Sequence, residues 1–185
     1  MQYRNSRKGF TLIELLITIG LTTLLSTLVI AYSNASRQQT TLYIEGSKIA
    51  QTILRAKTLA ISTYNQPVVP CGYGVEIDYS ANEYALFSYD DGTPSCSMIQ
   101  SPGAVIGAAE KTELNRFSLQ RGFVFDQSPL DSLTNVLFLP PAPRTLISLD
   151  AQGNISASPG RIYITAPGSS SRVPVTVNVN GQVTF

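Results

Sequence analysis

The sequence predicts an α+β protein in which one long N-terminal α-helix, apolar in its first half, packs against a head of antiparallel β-strands in two sheets. Two observations lead to this prediction. All 11 prolines lie at or after Pro67, so no proline interrupts a helix before that point. Beyond Pro67 the composition shifts to Pro, Gly, Ser, Val and Tyr, and apolar residues alternate over short runs separated by turns.

The composition excludes the common catalytic sites that depend on histidine. The chain of 185 residues contains no His and 2 Cys, so Ser/His pairs, Cys/His pairs and four-thiolate zinc sites are ruled out. Charged residues make up 14% of the chain, 13 basic against 12 acidic, which argues against a uniformly basic nucleic-acid coat. We therefore expect no enzymatic activity, no cofactor and no metal site.

The sparse charge is unevenly distributed at the N-terminus. The leading segment contains Arg4, Arg7 and Lys8 and no acid, whereas residues 10–31 contain a single charged residue, Glu14. As a helix, these apolar residues would span roughly 33 Å at ~1.5 Å per residue, about the thickness of a bilayer's hydrocarbon core. The basic flank is expected to stay cytoplasmic, which would place the rest of the chain outside the cytoplasm.

Three interpretations of this apolar stretch compete. A secretory signal has an apolar region of about 7–15 residues and a small-residue cleavage site, which Ser33-Asn34-Ala35 could imitate, but the run here is longer and contains an acid. A plain membrane anchor explains the length and leaves Glu14 unexplained, because a carboxylate at mid-membrane costs roughly 2.5–3.5 kcal/mol. The third interpretation comes from a resemblance to a known family.

The residues that carry this resemblance are Arg7-Lys8-Gly9-Phe10-Thr11-Leu12-Ile13-Glu14-Leu15-Leu16. They resemble the class III signal of type IV pilins and type II secretion pseudopilins. The resemblance implies that a prepilin peptidase cleaves after Gly9 and methylates Phe10, which becomes an N-methylphenylalanine. It also places Glu14 at the position whose carboxylate, in this family, is thought to meet the N-terminus of a neighbouring subunit. The simpler alternative is that this carboxylate reaches only to the headgroups.

The helical pattern continues beyond the apolar stretch, so we predict one helix from about Phe10 to about Thr63, softened at most near Gly20 or Gly46. Apolar residues spaced by 7, 4, 3 and 4 form one face: Leu42, Ile49, Ile53, Ala56 and Ala60. Polar residues are expected mostly elsewhere: Glu45, Lys48, Gln51, Arg55 and Lys57. Hydroxylated residues near Gly20 either allow close helix packing or bond back to their own helix: Thr22, Thr23, Ser26 and Thr27.

Alternating residues predict the strands of the head. The first hairpin joins residues 75–79 to residues 84–89 through a turn at 80–82. Further strands are expected at 123–125, 136–139, 146–149, 162–165 and 173–179, with a turn at 150–154 and a return over 183–185 after Asn180-Gly181. The last long strand should place four valines on one side: Val173, Val175, Val177 and Val179.

Two stretches beyond the apolar segment resemble, more narrowly, the general secretion protein H and FimT group of pseudopilins and minor pilins. They are residues 55–61 running into 66–69, and residues 175–181. The family implies a head of two β-sheets beside the C-terminal half of the helix. We therefore expect four segments: a prepilin leader at 1–9, a transmembrane and assembly helix at 10–32, its amphipathic continuation at 33–65, and a β-rich head at 66–185.

The sequence predicts a disulfide between the two cysteines and a turn at one acidic cluster. Outside the cytoplasm, Cys71 and Cys96 should form a disulfide that closes a loop of 24 intervening residues, worth roughly 3 kcal/mol by the chain-entropy estimate. Asp90-Asp91-Gly92, with Thr93 and Ser95, offers oxygen ligands that calcium could accept. Its spacing does not match the calcium loop of twelve residues, and Asp-Gly is a common turn, so we expect a turn there.

DNA binding is an alternative function, because some FimT-like minor pilins capture DNA through basic residues near the C-terminal end. Arg144, Arg161 and Arg172 are the candidates for such contacts. The closing residues 178–185 contain no Lys or Arg, and residues 37–185 hold 10 basic against 11 acidic side chains. That balance opposes the attraction of phosphates, so binding to DNA is the weaker expectation.

The function that we expect is a non-enzymatic structural subunit, a minor pilin or pseudopilin. It would be made as a single-pass inner-membrane precursor, cleaved after Gly9, and assembled through residues 10–60 into a type IV pilus or a type II secretion pseudopilus. Its expected partners are other pilin or pseudopilin subunits, the prepilin peptidase and the inner-membrane assembly platform. A secreted β-domain released by an ordinary signal peptidase is the remaining alternative.

Overall fold

The structure is a computed structural model that describes residues 11–63, 70–93, 96–100, 103–127, 130–141, 144–166 and 171–185. Within these ranges it describes every side chain except those of residues 31, 33–36 and 109. The chain divides into two compact units, Met1–Gln39 and Thr40–Phe185.

One helix, α1, runs from Leu12 to Ser62 and continues through both Gly20 and Gly46. Its bounds agree closely with the prediction, because no proline or turn sequence interrupts the helical pattern over this length. The five residues of the predicted apolar face are all buried, and they are Leu42, Ile49, Ile53, Ala56 and Ala60. The second half of α1 is therefore amphipathic, as the spacing of these residues predicts.

Glu45 is an exception to the predicted polar face, because its side chain is 1% exposed. The reason is its position three residues after Leu42 and four before Ile49, which the helical period places on the buried face. Its carboxylate accepts a hydrogen bond from the Lys48 ammonium at 2.6 Å, and the Lys48 side chain is about half exposed. The burial of Glu45 is thus accompanied by a counter-charge at the edge of the core.

Ten strands lie in the described ranges. They are β1 (Gly72–Asp78), β2 (Glu83–Tyr89), β3 (Lys111–Ser118), β4 (Val124–Asp126), β5 (Asn135–Leu139), β6 (Arg144–Ser148), β7 (Ile155–Ser156), β8 (Gly160–Thr165), β9 (Arg172–Val177) and β10 (Val183–Thr184). A six-stranded sheet has the order β3-β2-β1-β5-β6-β7, and a four-stranded sheet has the order β10-β9-β8-β4. The connection between β2 and β3 contains a short helix, α2 (Ser97–Gln100), and a single 3₁₀ turn at Ala108–Glu110. This is the predicted α+β fold with two antiparallel sheets.

Three details of the head differ from the prediction. The sequence pattern misses β3 because residues 112–116 are all exposed, and a strand with neither face buried shows no alternation. It misses β7 because that strand has only 2 residues. Val179 does not continue β9; the chain already turns there, with the Asn178 amide donating to the Gln182 carbonyl at 2.9 Å, and Val179 is 49% exposed.

The head contains two clusters of buried apolar side chains on opposite faces of the six-stranded sheet. Alternate residues of β5 separate them, because Phe138 belongs to the larger cluster and Leu137 to the smaller. The larger cluster joins the buried face of α1 to both sheets, and the smaller lies beneath the connection between β2 and β3. All the buried members of both clusters lie between Leu42 and Val177, so residues 40–185 contain their own complete core.

The connection over the smaller core is fixed by covalent and polar contacts. Cys71, which immediately precedes β1, forms a disulfide with Cys96. The Asp91 carboxylate accepts hydrogen bonds from the Thr93 hydroxyl and from the amides of Met98 and Ile99 at the start of α2. These contacts hold α2 against the sheet, so Ile99 can be buried although α2 has only 4 residues.

The Asp91 carboxylate should make the head less stable at acid pH than at neutral pH. Burial raises the pKa of the Asp91 carboxyl, but its hydrogen bonds from Thr93, Ile99 and Met98 outweigh burial and hold that pKa below its ordinary value. A lowered pKa stabilises the fold above the unfolded-state value of about 3.9, and this contribution is lost as the pH falls through the lower, folded-state value. Asp91→Asn should therefore destabilise residues 40–185 by about 1–3 kcal/mol at neutral pH and lose less additional stability on acidification.

Urea unfolding of residues 40–185 at about pH 7 and about pH 3 measures this effect, since the two values lie on either side of the unfolded-state pKa. Asp90→Asn, at the exposed neighbouring position, serves as the control. If Asp91→Asn lost as much stability on acidification as the unmodified head, the proposed contribution of this carboxylate would be wrong.

Gly181 supports the predicted final turn by a close approach to the rest of the head. Its φ is +73°, its carbonyl accepts a hydrogen bond from the Lys57 ammonium of α1 at 2.9 Å, and a Cβ there would lie 2.6 Å from the hydroxyl oxygen of Thr145. Gly181→Ala should destabilise residues 40–185 by about 2–4 kcal/mol, which combines backbone strain with overpacking.

Gly92→Ala is the matched control for this prediction. Gly92 has a φ of +72° and no atom of the described residues lies within 4 Å of the added Cβ, so its replacement should cost only the backbone strain of about 1–2 kcal/mol. Urea unfolding of both variants separates the two effects. Equal losses of stability at Gly181 and Gly92 would show that the contact with Thr145 adds nothing.

Candidate functional site

The first half of α1 presents an apolar surface that the described chain leaves uncovered. Leu12–Ile30 is long and apolar enough to cross a membrane, with a mean hydropathy of 2.1, and none of it is buried. Each Leu, Ile and Val side chain in this segment is more than half exposed. Burying one such side chain stabilises by roughly 1.5–3 kcal/mol, so lipid or other apolar helices are the surroundings that suit this segment.

The helix begins with a polar first turn at the edge of this apolar segment. The Glu14 amide lies 3.1 Å from the Thr11 carbonyl oxygen and 3.3 Å from the Thr11 hydroxyl oxygen, which makes Thr11 the N-cap. The carboxylate of Glu14 lies in the first turn, where the helix dipole favours a negative charge. Within the described ranges it receives no hydrogen bond and forms no ion pair.

The hydroxyl groups of the apolar segment bond back to their own helix. Thr22 donates to the Ile19 carbonyl at 2.9 Å, Ser26 to the Thr22 carbonyl at 2.8 Å, and Thr27 to the Leu24 carbonyl at 2.8 Å. Thr18 and Thr23 do the same. These bonds favour the prediction that the hydroxyl groups bond back to their own helix rather than to a neighbouring helix. They leave the Glu14 carboxylate as the polar group of the segment that has no partner in the described ranges.

The predicted processing residues, Gly9 and Phe10, lie outside the described residues, as does the whole predicted leader at 1–9. Leu12 begins α1 two residues after Phe10 in the sequence. The processing site therefore stays a prediction from the sequence pattern.

The three arginines considered for DNA binding do not form a free basic surface. Arg161 on β8 pairs with the Asp131 carboxylate at 2.6 Å, and Arg172 on β9 pairs with the Asp126 carboxylate at 3.2 Å. Arg144 begins β6 in the other sheet. Because two of the three charges are matched by carboxylates, the arrangement does not support DNA binding.

One cluster of cysteine and aspartate side chains has the spacing of metal ligands, but its atoms already form a disulfide and hydrogen bonds. Among the described residues, Cys71, Asp91 and Cys96 bring sulfur and carboxylate atoms within 4.8 Å of one another. The two sulfurs are bonded to each other, and the Asp91 carboxylate accepts the hydrogen bonds that hold α2. The chain bends at Gly92, whose amide donates to the Asp90 carboxylate at 3.0 Å.

Comparison with known proteins finds a sequence motif at the N-terminus and a distant structural likeness. Residues 4–30 match the family model of the prokaryotic N-terminal methylation motif, a range that includes Gly9, Phe10 and Glu14. No curated protein matches the chain significantly. Among solved structures, the chain is similar to the minor pseudopilin EpsH from the type 2 secretion system of Vibrio cholerae. The identity is 16% and the TM-score is 0.42, over 77% of this chain and 94% of that chain.

Proposed function

We propose that this chain belongs to the type IV pilin and pseudopilin superfamily, which its N-terminal methylation motif supports, and that it is a non-enzymatic structural subunit of a type IV pilus or a type II secretion pseudopilus. A minor pilin or pseudopilin of the general secretion protein H and FimT group is the closest description. The observation that carries the proposal is the motif at residues 4–30 on a helix whose apolar segment Leu12–Ile30 has no buried residue. Such a helix is suited first to a bilayer and then to a bundle of like helices.

Processing would convert the membrane precursor into an assembly-competent subunit. Cleavage after Gly9 removes Arg4, Arg7 and Lys8 and leaves Phe10, with a methylated amine, directly before the Thr11 cap. The mature N-terminus then carries one positive charge, and the apolar segment carries one negative charge at Glu14. The prepilin peptidase is the partner required for this step.

Glu14 would pair with the N-terminal amine of a neighbouring subunit and so set the axial register of assembly. Support comes from the hydroxyl groups of the segment, which bond to their own helix, and from the Glu14 carboxylate, which has no partner in the described ranges. An ammonium and a carboxylate offset each other's desolvation when both are buried in an apolar bundle. A displaced register would leave both charges unpaired among apolar side chains, which disfavours it.

The proposed location follows from the same features. The precursor spans the inner membrane once, with its N-terminus in the cytoplasm and its head outside, before it enters the fibre on the inner-membrane assembly platform. The disulfide between Cys71 and Cys96 fits this location, because disulfides persist in the oxidising periplasm and are rare in the cytoplasm.

Fibre fractionation tests the proposal. The tagged full chain is expressed in bacteria that hold a prepilin peptidase and an assembly platform, and fibres are sheared from the cells and collected. The full chain should be found in the fibre fraction, whereas residues 40–185 exported behind a cleavable secretory signal should not. Equal recovery of both chains outside the fibres would contradict the proposed function.

A further inference from the structure

The part of α1 between residues 15 and 31 holds polar side chains that need no water. No residue of this stretch is charged, and its polar side chains are all hydroxyls. Each hydroxyl donates to a carbonyl of α1 itself, and the residues are Thr18, Thr22, Thr23, Ser26 and Thr27. Hydrocarbon offers no hydrogen bonds, so only polar groups that are satisfied within the helix are tolerated there. Residues 15–31 meet this condition.

A polar side chain that does need other surroundings marks each end of this stretch. At one end the Glu14 carboxylate has no hydrogen bond or ion pair in the described ranges. At the other end Tyr32 is 81% exposed, and residues 33–39 after it are polar except for Ala35. Tyrosine is enriched where hydrocarbon meets the headgroups, because its ring is apolar and its hydroxyl is polar. Tyr32 therefore suits the boundary of a membrane.

The distance between the two ends matches the thickness of a bilayer. Tyr32 follows Glu14 by 18 residues in the continuous helix α1, and this number of residues spans about 27 Å at ~1.5 Å per residue. The hydrocarbon core of a bilayer is ~30 Å thick. Long side chains that are polar at the tip can extend along the helix to reach the headgroups. Both ends can thus lie among the headgroups of opposite leaflets at the same time.

We propose that, before assembly, the Tyr32 side chain lies among the phospholipid headgroups of the outer leaflet and the Glu14 carboxylate among those of the inner leaflet. A carboxylate costs less near the interface than at the bilayer centre, so Glu14 can remain charged in the precursor until a neighbouring subunit supplies its amine. The inference rests on the proposed function, which includes a membrane precursor. It adds the depth of the helix and the residues that contact the headgroups.

Depth-dependent quenching of tryptophan fluorescence tests the proposal. The chain contains no Trp, so Ile13→Trp, Leu24→Trp and Tyr32→Trp each give the full chain a single reporter. Each variant is reconstituted into vesicles of phosphatidylethanolamine and phosphatidylglycerol, with phospholipids brominated either near the headgroup or near the end of the acyl chains. Positions 13 and 32 should be quenched more strongly by the bromines near the headgroup, whereas position 24 should show the reverse order. The two leaflets have the same composition, so the direction of insertion does not affect the result.

Tyr43→Trp is the matched control, because Tyr43 is another exposed tyrosine of α1 and lies beyond the apolar segment. Neither set of bromines should quench a tryptophan at this position strongly. Quenching by the headgroup bromines that is stronger at position 43 than at position 32 would overturn the proposed boundary.

The outcomes separate the proposed depth from the proposed function. If the acyl-chain bromines quench position 24 and also quench position 13 or 32 more strongly than the headgroup bromines do, the depth is overturned and the function stands. The same conclusion follows if position 24 is quenched and position 32 is not quenched at all. If neither set quenches position 24, the apolar segment does not enter the bilayer, which would count against the proposed function as well.

Discussion

Glu14→Gln subunits are expected to enter fibres at roughly one-tenth of the wild-type level or less. The substitution keeps the size of the side chain and removes its charge, so the N-terminal amine of the neighbouring subunit would be buried without a carboxylate. An unpaired charge costs roughly 2.5–3.5 kcal/mol at the centre of an apolar span and less near its edge, and about 1.4 kcal/mol already corresponds to a tenfold change. The measurement is the amount of each variant in sheared fibres, relative to its amount in the membrane.

Thr18→Val is the matched control for Glu14→Gln. Thr18 lies one turn further along the same side of α1, and its hydroxyl donates to the Leu15 carbonyl at 2.9 Å. Its loss removes a polar group that already has a partner within the helix, so incorporation should stay near the wild-type level. If Glu14→Gln also stayed at that level, a carboxylate that reaches only to the headgroups would be the better explanation.

Gly9→Val is expected to abolish maturation and so to exclude the chain from fibres altogether. The leader would keep Arg4, Arg7 and Lys8 attached to the apolar segment. Moving such cations into the apolar environment of a bilayer or a helix bundle costs roughly 2.5–3.5 kcal/mol each, so the precursor should stay anchored with its leader in the cytoplasm. Intact mass and membrane fractionation measure this directly, because the unprocessed chain keeps its first nine residues.

Gly20→Ala is the control for the substitution at Gly9. Gly20 lies inside α1, and in the described part of the chain no atom lies within 4 Å of the Cβ that alanine would add. Alanine also favours a helix over glycine by about 0.8–1.0 kcal/mol, so this variant should mature and assemble normally. Maturation of Gly9→Val at the wild-type rate would contradict cleavage after Gly9.

The sequence predicted the parts of the fold that depend on local pattern. The absence of proline and the spacing of Leu42, Ile49 and Ile53 predicted a helix that the structure confirms over Leu12–Ser62. The exposed edge strand β3 could not be found in the same way, because residues 112–116 show no alternation of burial. The helical period alone would have placed Glu45 on the buried face. We expected it on the polar face because it is charged.

Contacts that depend on strand order could not be predicted from local pattern. Lys57 and Gly181 are 124 residues apart, and they meet only because the C-terminal turn packs against α1. The ion pairs of Arg161 with Asp131 and of Arg172 with Asp126 arise in the same way, from segments brought together by the four-stranded sheet. Because Arg161 and Arg172 are paired with carboxylates, they do not form the basic surface that the sequence alone allowed.

The N-terminus of the mature protein tests the central claim most directly. The full chain, produced with a prepilin peptidase and purified from membranes or fibres, would be examined by intact-mass measurement and N-terminal sequencing. We predict a chain that begins at Phe10 and carries one methyl group on its amine. A chain that begins near Ser36, as after cleavage by an ordinary signal peptidase, or one that still begins at Met1, would contradict a pilin-like subunit.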